Sequence, residues 1–168
     1  QRMILMEMGK IRKISEMAVD AVLNGVRVYC YSRGRNQLAV EGNTRRGGLA
    51  LFNGIFDGGA EKEFVYINAS VPERPFSQKD CVVMGFTMPD DPVDLENLAK
   101  FRKAGMKIAS IGSMTRDFKV PAGDTIPKKS DVHAGSMCDT YGLFAIPGFE
   151  RKVCPTSGAM VNQIFWAV

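Results

Sequence analysis

The chain is poor in the residues that build metal and redox sites. Its 168 residues include one histidine and four cysteines. The cysteines are far apart and form no Cys-x-x-Cys pair: Cys30, Cys81, Cys138 and Cys154. Because zinc sites use clusters of these residue types at short spacings, we expect no bound metal. Two of the cysteines lie in apolar, strand-like runs, where a free thiol behaves as a small hydrophobic group. This usage is typical of a reduced, cytoplasmic protein.

Long apolar runs and long charged runs are also missing. No apolar stretch approaches the roughly 18 residues that a membrane-spanning helix needs. The formal net charge is +4, but the basic residues are scattered, with no aromatic residues interleaved among them. We therefore expect neither a membrane nor a nucleic acid as a partner. The 45% of apolar residues is the ordinary globular range and predicts one domain with a substantial core.

Nucleotide-cofactor motifs are absent too. A nicotinamide-binding fold of the Rossmann type carries a Gly-x-Gly-x-x-Gly turn after its first strand, whereas the corresponding turn here contains only Gly34. No phosphate-binding P-loop occurs anywhere in the sequence. We therefore expect no cofactor.

What the sequence does contain is an alternation of helical and strand-like segments. The apolar spacing predicts helices over residues 2–24, 37–46, 92–102 and from about 156 onward, and strands over 26–31, 49–52, 80–87, 106–111, 131–134 and 143–147. Residues 53–60 and 112–130 are predicted as loops, and 63–68 as weakly ordered. The pattern predicts a single α/β domain spanning residues 1–168, with a three-layer α/β/α sandwich around a mostly parallel sheet. Because the chain begins inside a predicted helix, we expect it to lack terminal helical segments of a longer protein.

The turn after the first predicted strand is the most distinctive short stretch. It reads Ser32, Arg33, Gly34, Arg35 and Asn36. A strand that ends at a glycine turn and leads into a helix presents backbone N–H groups at the positive end of the helix dipole, where they bind anions. In parallel sheets ligands bind beyond the carboxyl ends of the strands. Two further candidates for phosphate binding are therefore the segment 87–91, after the most apolar strand, and the last helix's first residues, Thr156 and Ser157.

Several short motifs follow one another along the chain in an order that is typical of a known family. They are Ser32 to Asn36, Gly47-Gly48-Leu49, Asp80 to Met84, Asp91-Pro92-Val93, Gly105 to Ala109, Ser130-Asp131-Val132, Cys138-Asp139 and Pro155-Thr156-Ser157. In this order and spacing, from about Gly25 to the end, the chain resembles an SIS (sugar isomerase) domain. It is most similar to the phosphosugar-binding proteins of that group, which are related to phosphoheptose isomerase.

The resemblance implies a Rossmann-like sheet of five parallel strands in a homodimer or homotetramer. A sugar phosphate would lie at the strand ends, with its phosphate bound by hydroxyl and backbone N–H groups. Carried over to this sequence, the ligand-binding residues are Ser32, Gly34, Arg35 and Asn36 in the first loop, with Arg33 beside them, and Thr87, Met88 and Asp91 in the second. SIS proteins typically have serine in place of Asn36 and a Ser-x-Ser-Gly-x-Thr-type second loop, whereas here only Thr87 keeps a hydroxyl. Asp90 and Asp91 would repel a phosphate, so they either cap the following helix or mark a pocket that binds phosphate differently.

Catalysis is a separate question from binding. Aldose–ketose isomerisation needs a base and an acid, for which glutamate and histidine commonly serve. The candidates are Glu41 and Glu96, on the helices after the two loops, and His133. Charged residues on helix faces are usually only solvated, and a lone histidine is usually structural, so we expect binding before catalysis. The hypotheses are a sensor or regulatory module, an isomerase of the phosphoheptose type, or a structural and interaction protein with a degenerate pocket. In the last of these, the methionine-rich first helix would mediate assembly.

Overall fold

The protein has the predicted α/β architecture. The computed structural model describes residues 2–33, 38–40, 51–60, 62–67, 73–138, 144–150 and 156–168. Its helices are α1 (Arg2–Leu23), α2 (Pro92–Lys103), α3 (Ile126–Lys129) and α4 (Ser157–Phe165), and residues 38–40 are also helical. Its strands are β1 (Val28–Ser32), β2 (Phe52–Asp57), β3 (Phe64–Tyr66), β4 (Cys81–Gly85), β5 (Lys107–Gly112) and β6 (Val132–Gly135).

The six strands form one sheet in the order β3-β2-β1-β4-β5-β6. All neighbours are parallel except β3, which runs antiparallel to β2. The chain passes from β1 to β2 on one side and later returns to place β4 on the other side of β1. The strand order therefore reverses between β1 and β4, whose last residues Ser32 and Gly85 are paired. This is the point at which open α/β sheets bind ligands.

Both faces of the sheet are covered. Helices α1 and α4 pack on one face, where residues such as Ile14, Val83 and Ile164 form a hydrophobic cluster. On the other face, Met84 of β4 and Phe101 of α2 belong to a second hydrophobic cluster. All residues of β1 and β4 are buried, which explains why these strands are continuously apolar rather than alternating. No helix among the described residues is long and apolar enough to cross a membrane.

The sequence-based prediction of the second strand is wrong in its bounds. It runs from Phe52 to Asp57, not over residues 49–52, and so occupies part of the predicted 53–60 loop. Gly54 misled the prediction, because glycine usually marks a turn. Here a Cβ atom at position 54 would lie 2.4 Å from the carbonyl oxygen of Ala39. The glycine therefore permits close contact between the strand and the helical residues 38–40.

Three other segments also differ from the predictions. Residues 64–66, expected to be weakly ordered, form the antiparallel strand β3. The predicted loop 112–130 contains the single-turn helix α3, whose N-cap is Thr125. The described residues 144–147 belong to no strand of the sheet, although Phe144 forms an isolated β-bridge, and Phe144 and Ile146 are exposed. Residue 143 of the predicted strand 143–147 lies outside the described residues. Most of the helix predicted over 37–46 lies outside the described residues.

Candidate functional site

The candidate site lies where β1 and β4 end side by side. Arg33 follows β1 directly, and its guanidinium contacts two carboxylates at the beginning of α2. Its Nη2 donates to Asp91 Oδ1, and its Nε donates to Asp94 Oδ1 at 3.3 Å. Asp91 and Asp94 are both buried, whereas the Arg33 side chain is 36% exposed. Arg33 therefore connects the end of β1 to the start of α2.

Asp91 is the N-cap of α2. Its Oδ1 accepts hydrogen bonds from the backbone N–H groups of Val93 and Asp94, at 3.0 and 3.1 Å. Pro92 follows in the first turn, where its fixed φ suits a helix start. The expectation that one of the aspartates caps this helix is confirmed for Asp91. These two N–H groups are consequently engaged within the protein and are not offered to an anion.

Ser32 is also engaged internally. Its side chain is fully buried, and its Oγ accepts a hydrogen bond from the N–H of Ala39 at 3.0 Å. The hydroxyl thus ties the helical residues 38–40 to the end of β1. The remaining predicted residues of this loop, Gly34, Arg35 and Asn36, lie outside the described residues, as does Glu41.

A chain of hydrogen bonds extends from Arg33 into the interior. The buried Tyr31 hydroxyl donates to Asp94 Oδ1 at 3.0 Å and accepts from Asn97 Nδ2 at 2.8 Å. Lys100 Nζ then donates to Asn97 Oδ1 at 3.0 Å. Burial raises the pKa of Asp94, although the Tyr31 hydrogen bond and the Arg33 charge oppose the rise. Burial, together with the Asp94 charge, also raises the pKa of Tyr31.

The electrostatics around Arg33 differ from those of a cation that is free to bind an anion. Arg33 supplies one positive charge, and two carboxylates lie within hydrogen-bond distance of it. Unit charges about 4 Å apart interact by about 4 kcal/mol at an effective dielectric constant near 20. A phosphate beside Arg33 would therefore also meet the repulsion of Asp91 and Asp94. Because two carboxylates already balance its charge, Arg33 connects the two loops and does not neutralise a phosphate by itself.

The other two predicted regions lie close to strand or helix ends. Thr87 and Met88, both half-buried, lie between β4 and α2, in the same loop as Asp91. Thr156 is the N-cap residue of α4, but its side chain makes no capping hydrogen bond, and Ser157 is buried. Asp91 and Thr125, by contrast, cap α2 and α3 with their side chains.

The two described catalytic candidates are not brought together. The Glu96 side chain is 69% exposed and pairs with Lys100 at 3.2 Å, one turn along α2. His133 lies in the edge strand β6, and its Nδ1 is hydrogen-bonded to the Ser110 hydroxyl at 2.9 Å. Burial lowers the pKa of His133 to about 4, with a further lowering from the Lys10 charge. Its imidazole is therefore neutral near pH 7.

Sequence reasoning missed the acidic partner of the His133 region. Glu7 of α1 is buried, and its Oε2 accepts a hydrogen bond from the N–H of Gly135 at 2.9 Å. The signal was present in the sequence, because Glu7 interrupts the apolar stripe formed by Ile4, Ile11 and Ile14. A carboxylate in the buried face of an amphipathic helix is unusual unless it has a partner.

A surface groove lies on the α2 side of the sheet, and Lys100 is one of its lining residues. Its volume is about 970 Å³, and Tyr66, Arg74, Phe76 and Lys103 are among the residues that line it. Arg74 is already paired with the buried Asp80. Among the described residues, no three histidine, cysteine or acidic side chains are grouped so as to bind a metal ion.

Comparisons with known proteins support the fold but do not name a function. No protein-family model matches the sequence, and no curated protein matches it. A solved structure titled "Crystal structure of an hypothetical protein" aligns with a TM-score of 0.54 at 12% identity, over 95% of this chain and 78% of that one. A likeness at this identity concerns the fold alone. The chain is therefore similar in architecture to a solved α/β protein whose title states no activity.

Proposed function

We propose that this chain is a phosphosugar-binding domain of the SIS type, with its ligand at the carboxyl ends of β1 and β4. The observation that supports this best is the Arg33 bridge. It joins the two loops that a ligand would contact at the place where the strand order reverses. The order of motifs along the sequence points to the same two loops.

The phosphate is proposed to bind the loop after β1, not the start of α2. Asp91 already takes the N–H groups of Val93 and Asp94. Residues 33–37 and the Thr87 hydroxyl remain as proposed donors. The start of α4 is a further proposed donor, because Thr156 does not cap it with its side chain. In this arrangement Arg33 orders the pocket and contributes those of its five N–H groups that are not bound to carboxylates.

A thermal-shift screen tests the proposal. The probes are inorganic phosphate and the terminally phosphorylated forms of fructose, glucosamine and sedoheptulose. We expect at least one sugar phosphate to raise the melting temperature, because a ligand that binds only the folded state stabilises it by mass action. Thr87→Val should reduce that rise. Ser130→Ala, which removes a hydroxyl bonded to Ile126 O before β6 begins, should leave it unchanged. No rise with any of the four probes would contradict the proposal.

The isomerase form of the proposal makes an additional demand. An isomerase exchanges a carbon-bound proton of the substrate with solvent, so deuterium from heavy water should enter the bound sugar phosphate. Glu41→Gln, Glu96→Gln or His133→Ala would then abolish the exchange. Because Glu96 is solvated and paired with Lys100, and because the structure does not bring Glu96 and His133 together, we propose a sensor or regulatory module, for which no exchange is expected.

A second candidate function has its own supporting observation. Arg33, Asp91 and Asp94 pair with one another where β1 ends and α2 begins, which is where the ligand is proposed to bind. In addition, α1 exposes Leu5, Met6, Met8, Val19 and Leu23. A structural protein that assembles through α1 into a homodimer or homotetramer would show both features. This second hypothesis predicts that light scattering detects an oligomer and that Leu5→Glu dissociates it. It also predicts that no sugar phosphate changes the melting temperature.

A further inference from the structure

Unusual features concentrate at the end of β6, away from the loops discussed above. Glu7 is a buried carboxylate on α1, and Ser110 and Ser136 are fully buried hydroxyls. Directly after Ser136, Met137 has a φ of 52°, a left-handed conformation that is rare for a residue other than glycine, asparagine or aspartate. Buried polar groups and backbone outliers collect where a protein performs chemistry or binds a ligand.

Glu7 and His133 face a common point. Glu7 Oε2 accepts the N–H of Gly135 at 2.9 Å and lies 2.9 Å from Lys10 Nζ. A Cβ atom placed on Gly135 would lie 3.9 Å from Glu7 Oε2 and 3.9 Å from His133 Nε2. The carboxylate from α1 and the imidazole from β6 thus approach the same position from two different elements.

Two polar atoms of this region have no partner among the described residues. They are His133 Nε2 and Ser136 Oγ, and both atoms are buried. The opposite ring nitrogen, Nδ1, is satisfied by the Ser110 hydroxyl. Buried polar atoms are normally hydrogen-bonded, so an unpartnered ring nitrogen close to a carboxylate indicates a place for a group that can both donate and accept.

We propose that Glu7 and His133 form the subsite for the hydroxyl or carbonyl end of the sugar phosphate. This inference rests on the function proposed above and names where the sugar, as opposed to its phosphate, is recognised. A ligand hydroxyl can donate to the Glu7 carboxylate and at the same time accept from Nε2–H of His133. The second bond requires that Nδ1 accept from the Ser110 hydroxyl, and the observed contact permits this.

The subsite is within reach of the proposed phosphate position. Phe86, which precedes Thr87, packs against His133 with ring centroids 5.8 Å apart. The pairings Gly85 with Ile111 and Gly112 with Gly135 bring the ends of β4, β5 and β6 to nearly the same level. The ends of β4 and β6 are two strand spacings apart, roughly 10 Å. With its phosphate at the Thr87 hydroxyl, on the β4 side of the loop after β1, a sugar phosphate spans this separation and places its far end near β6.

The nuclear magnetic resonance signals of the His133 imidazole can report ligand binding at the subsite. His133 is the single histidine of the chain, so the imidazole signals in a nitrogen-labelled sample need no assignment. We expect them to shift when the protein is saturated with the sugar phosphate that gives the largest thermal shift. Saturation with inorganic phosphate should leave them in place, because phosphate alone does not reach β6.

Two variants with a matched control test the geometry. Glu7→Gln removes the charge that a ligand hydroxyl would meet, and we expect the sugar phosphate to bind about tenfold more weakly while inorganic phosphate is unaffected. Gly135→Ala fills the space between Glu7 and His133 without a clash, since its Cβ would meet nothing closer than 3.9 Å, and it should weaken sugar-phosphate binding similarly. Glu16→Gln removes an exposed carboxylate from the same helix and should change neither affinity.

The outcomes separate this inference from the function it rests on. If a sugar phosphate binds but the imidazole signals stay in place and Gly135→Ala binds normally, the subsite is refuted while phosphosugar binding stands. If inorganic phosphate shifts the imidazole signals as much as the sugar phosphate, His133 does not recognise the sugar and the inference fails. If no probe binds, the proposed function and the subsite fall together.

Discussion

Replacing Arg33 by methionine tests the bridge at the candidate site. The variant keeps an unbranched side chain but leaves Asp91 and Asp94 without their cation. Removing one partner of a fully buried ion pair costs about 3–5 kcal/mol. The Arg33 side chain is 36% exposed, so in the variant water can reach the two carboxylates and partly replace the lost cation. We therefore expect a loss of about 1–3 kcal/mol in the free energy of unfolding at pH 7. Urea titration followed by circular dichroism measures this directly.

The loss should depend on pH in a defined direction. Burial raises the pKa of Asp94 in the folded state, and Arg33 opposes the rise. A carboxyl group whose pKa is raised by folding stabilises the protein below its unfolded pKa, near about 3.9, and this stabilisation is lost as the pH rises through the folded pKa. Without Arg33 the folded pKa of Asp94 rises further. The stability difference between the wild type and Arg33→Met should therefore be largest at pH 7 and shrink toward pH 4.

Arg12→Met is the matched control. Arg12 pairs with Glu16 at 2.9 Å, but its side chain is 80% exposed, so we expect a change below about 0.5 kcal/mol with little pH dependence. The reasoning about the bridge would be refuted if Arg33→Met were no more destabilising than Arg12→Met at pH 7. It would also be refuted if the Arg33→Met loss were the same at pH 4 and pH 7.

Three further predictions concern the interior and the sheet edge. Tyr31→Phe leaves the Asn97 amide without its acceptor and should cost about 1–2 kcal/mol in urea unfolding; a change near zero would contradict the described hydrogen-bond chain. Asp80→Ala removes a fully buried carboxylate that accepts from Arg74 and from two backbone N–H groups. Arg74 is partly exposed, so the cost comes mainly from the two N–H groups left without an acceptor, and we expect a loss of about 2–4 kcal/mol by the same assay. His133, with its pKa lowered to about 4, should titrate near that value by nuclear magnetic resonance. Because its unfolded pKa is about 6.5, stability should decrease as the pH falls from 6.5 toward 4, and a midpoint near 6.5 would show that the imidazole is solvated.

Many of the helices and strands could be predicted from the local spacing of apolar residues. The buried strands β1, β4 and β5 and the helices α1, α2 and α4 match the predicted segments within a few residues, because burial imposes a regular apolar spacing on the sequence. Gly54 shows where this reasoning fails. Its loop-like composition reflects contact with Ala39, fifteen positions earlier in the chain, and no local pattern contains that contact.

The sequence predicted two loops that lie side by side in the structure, but it did not predict which charges meet there. The two loops after β1 and β4 are adjacent, as parallel pairing requires. Arg33 was interpreted as a free cation for an anion because its neighbours in sequence are polar and small. Its partners Asp91 and Asp94 lie 58 and 61 residues away, and only the parallel pairing of β1 with β4 brings them to it.

The sequence by itself determined the α/β class, the buried strands and the turns that follow them, because these depend on apolar spacing and turn chemistry over a few residues. The tertiary structure alone decided which charges meet. It placed the Asp91 carboxylate on Arg33 and on the first N–H groups of α2, and it brought Glu7 of α1 to the far edge of the sheet beside His133. The physical reason is that electrostatic and hydrogen-bonding energies depend on distance in space. A turn that looks like an anion cradle in sequence can therefore become, in the folded protein, an ion-paired bridge.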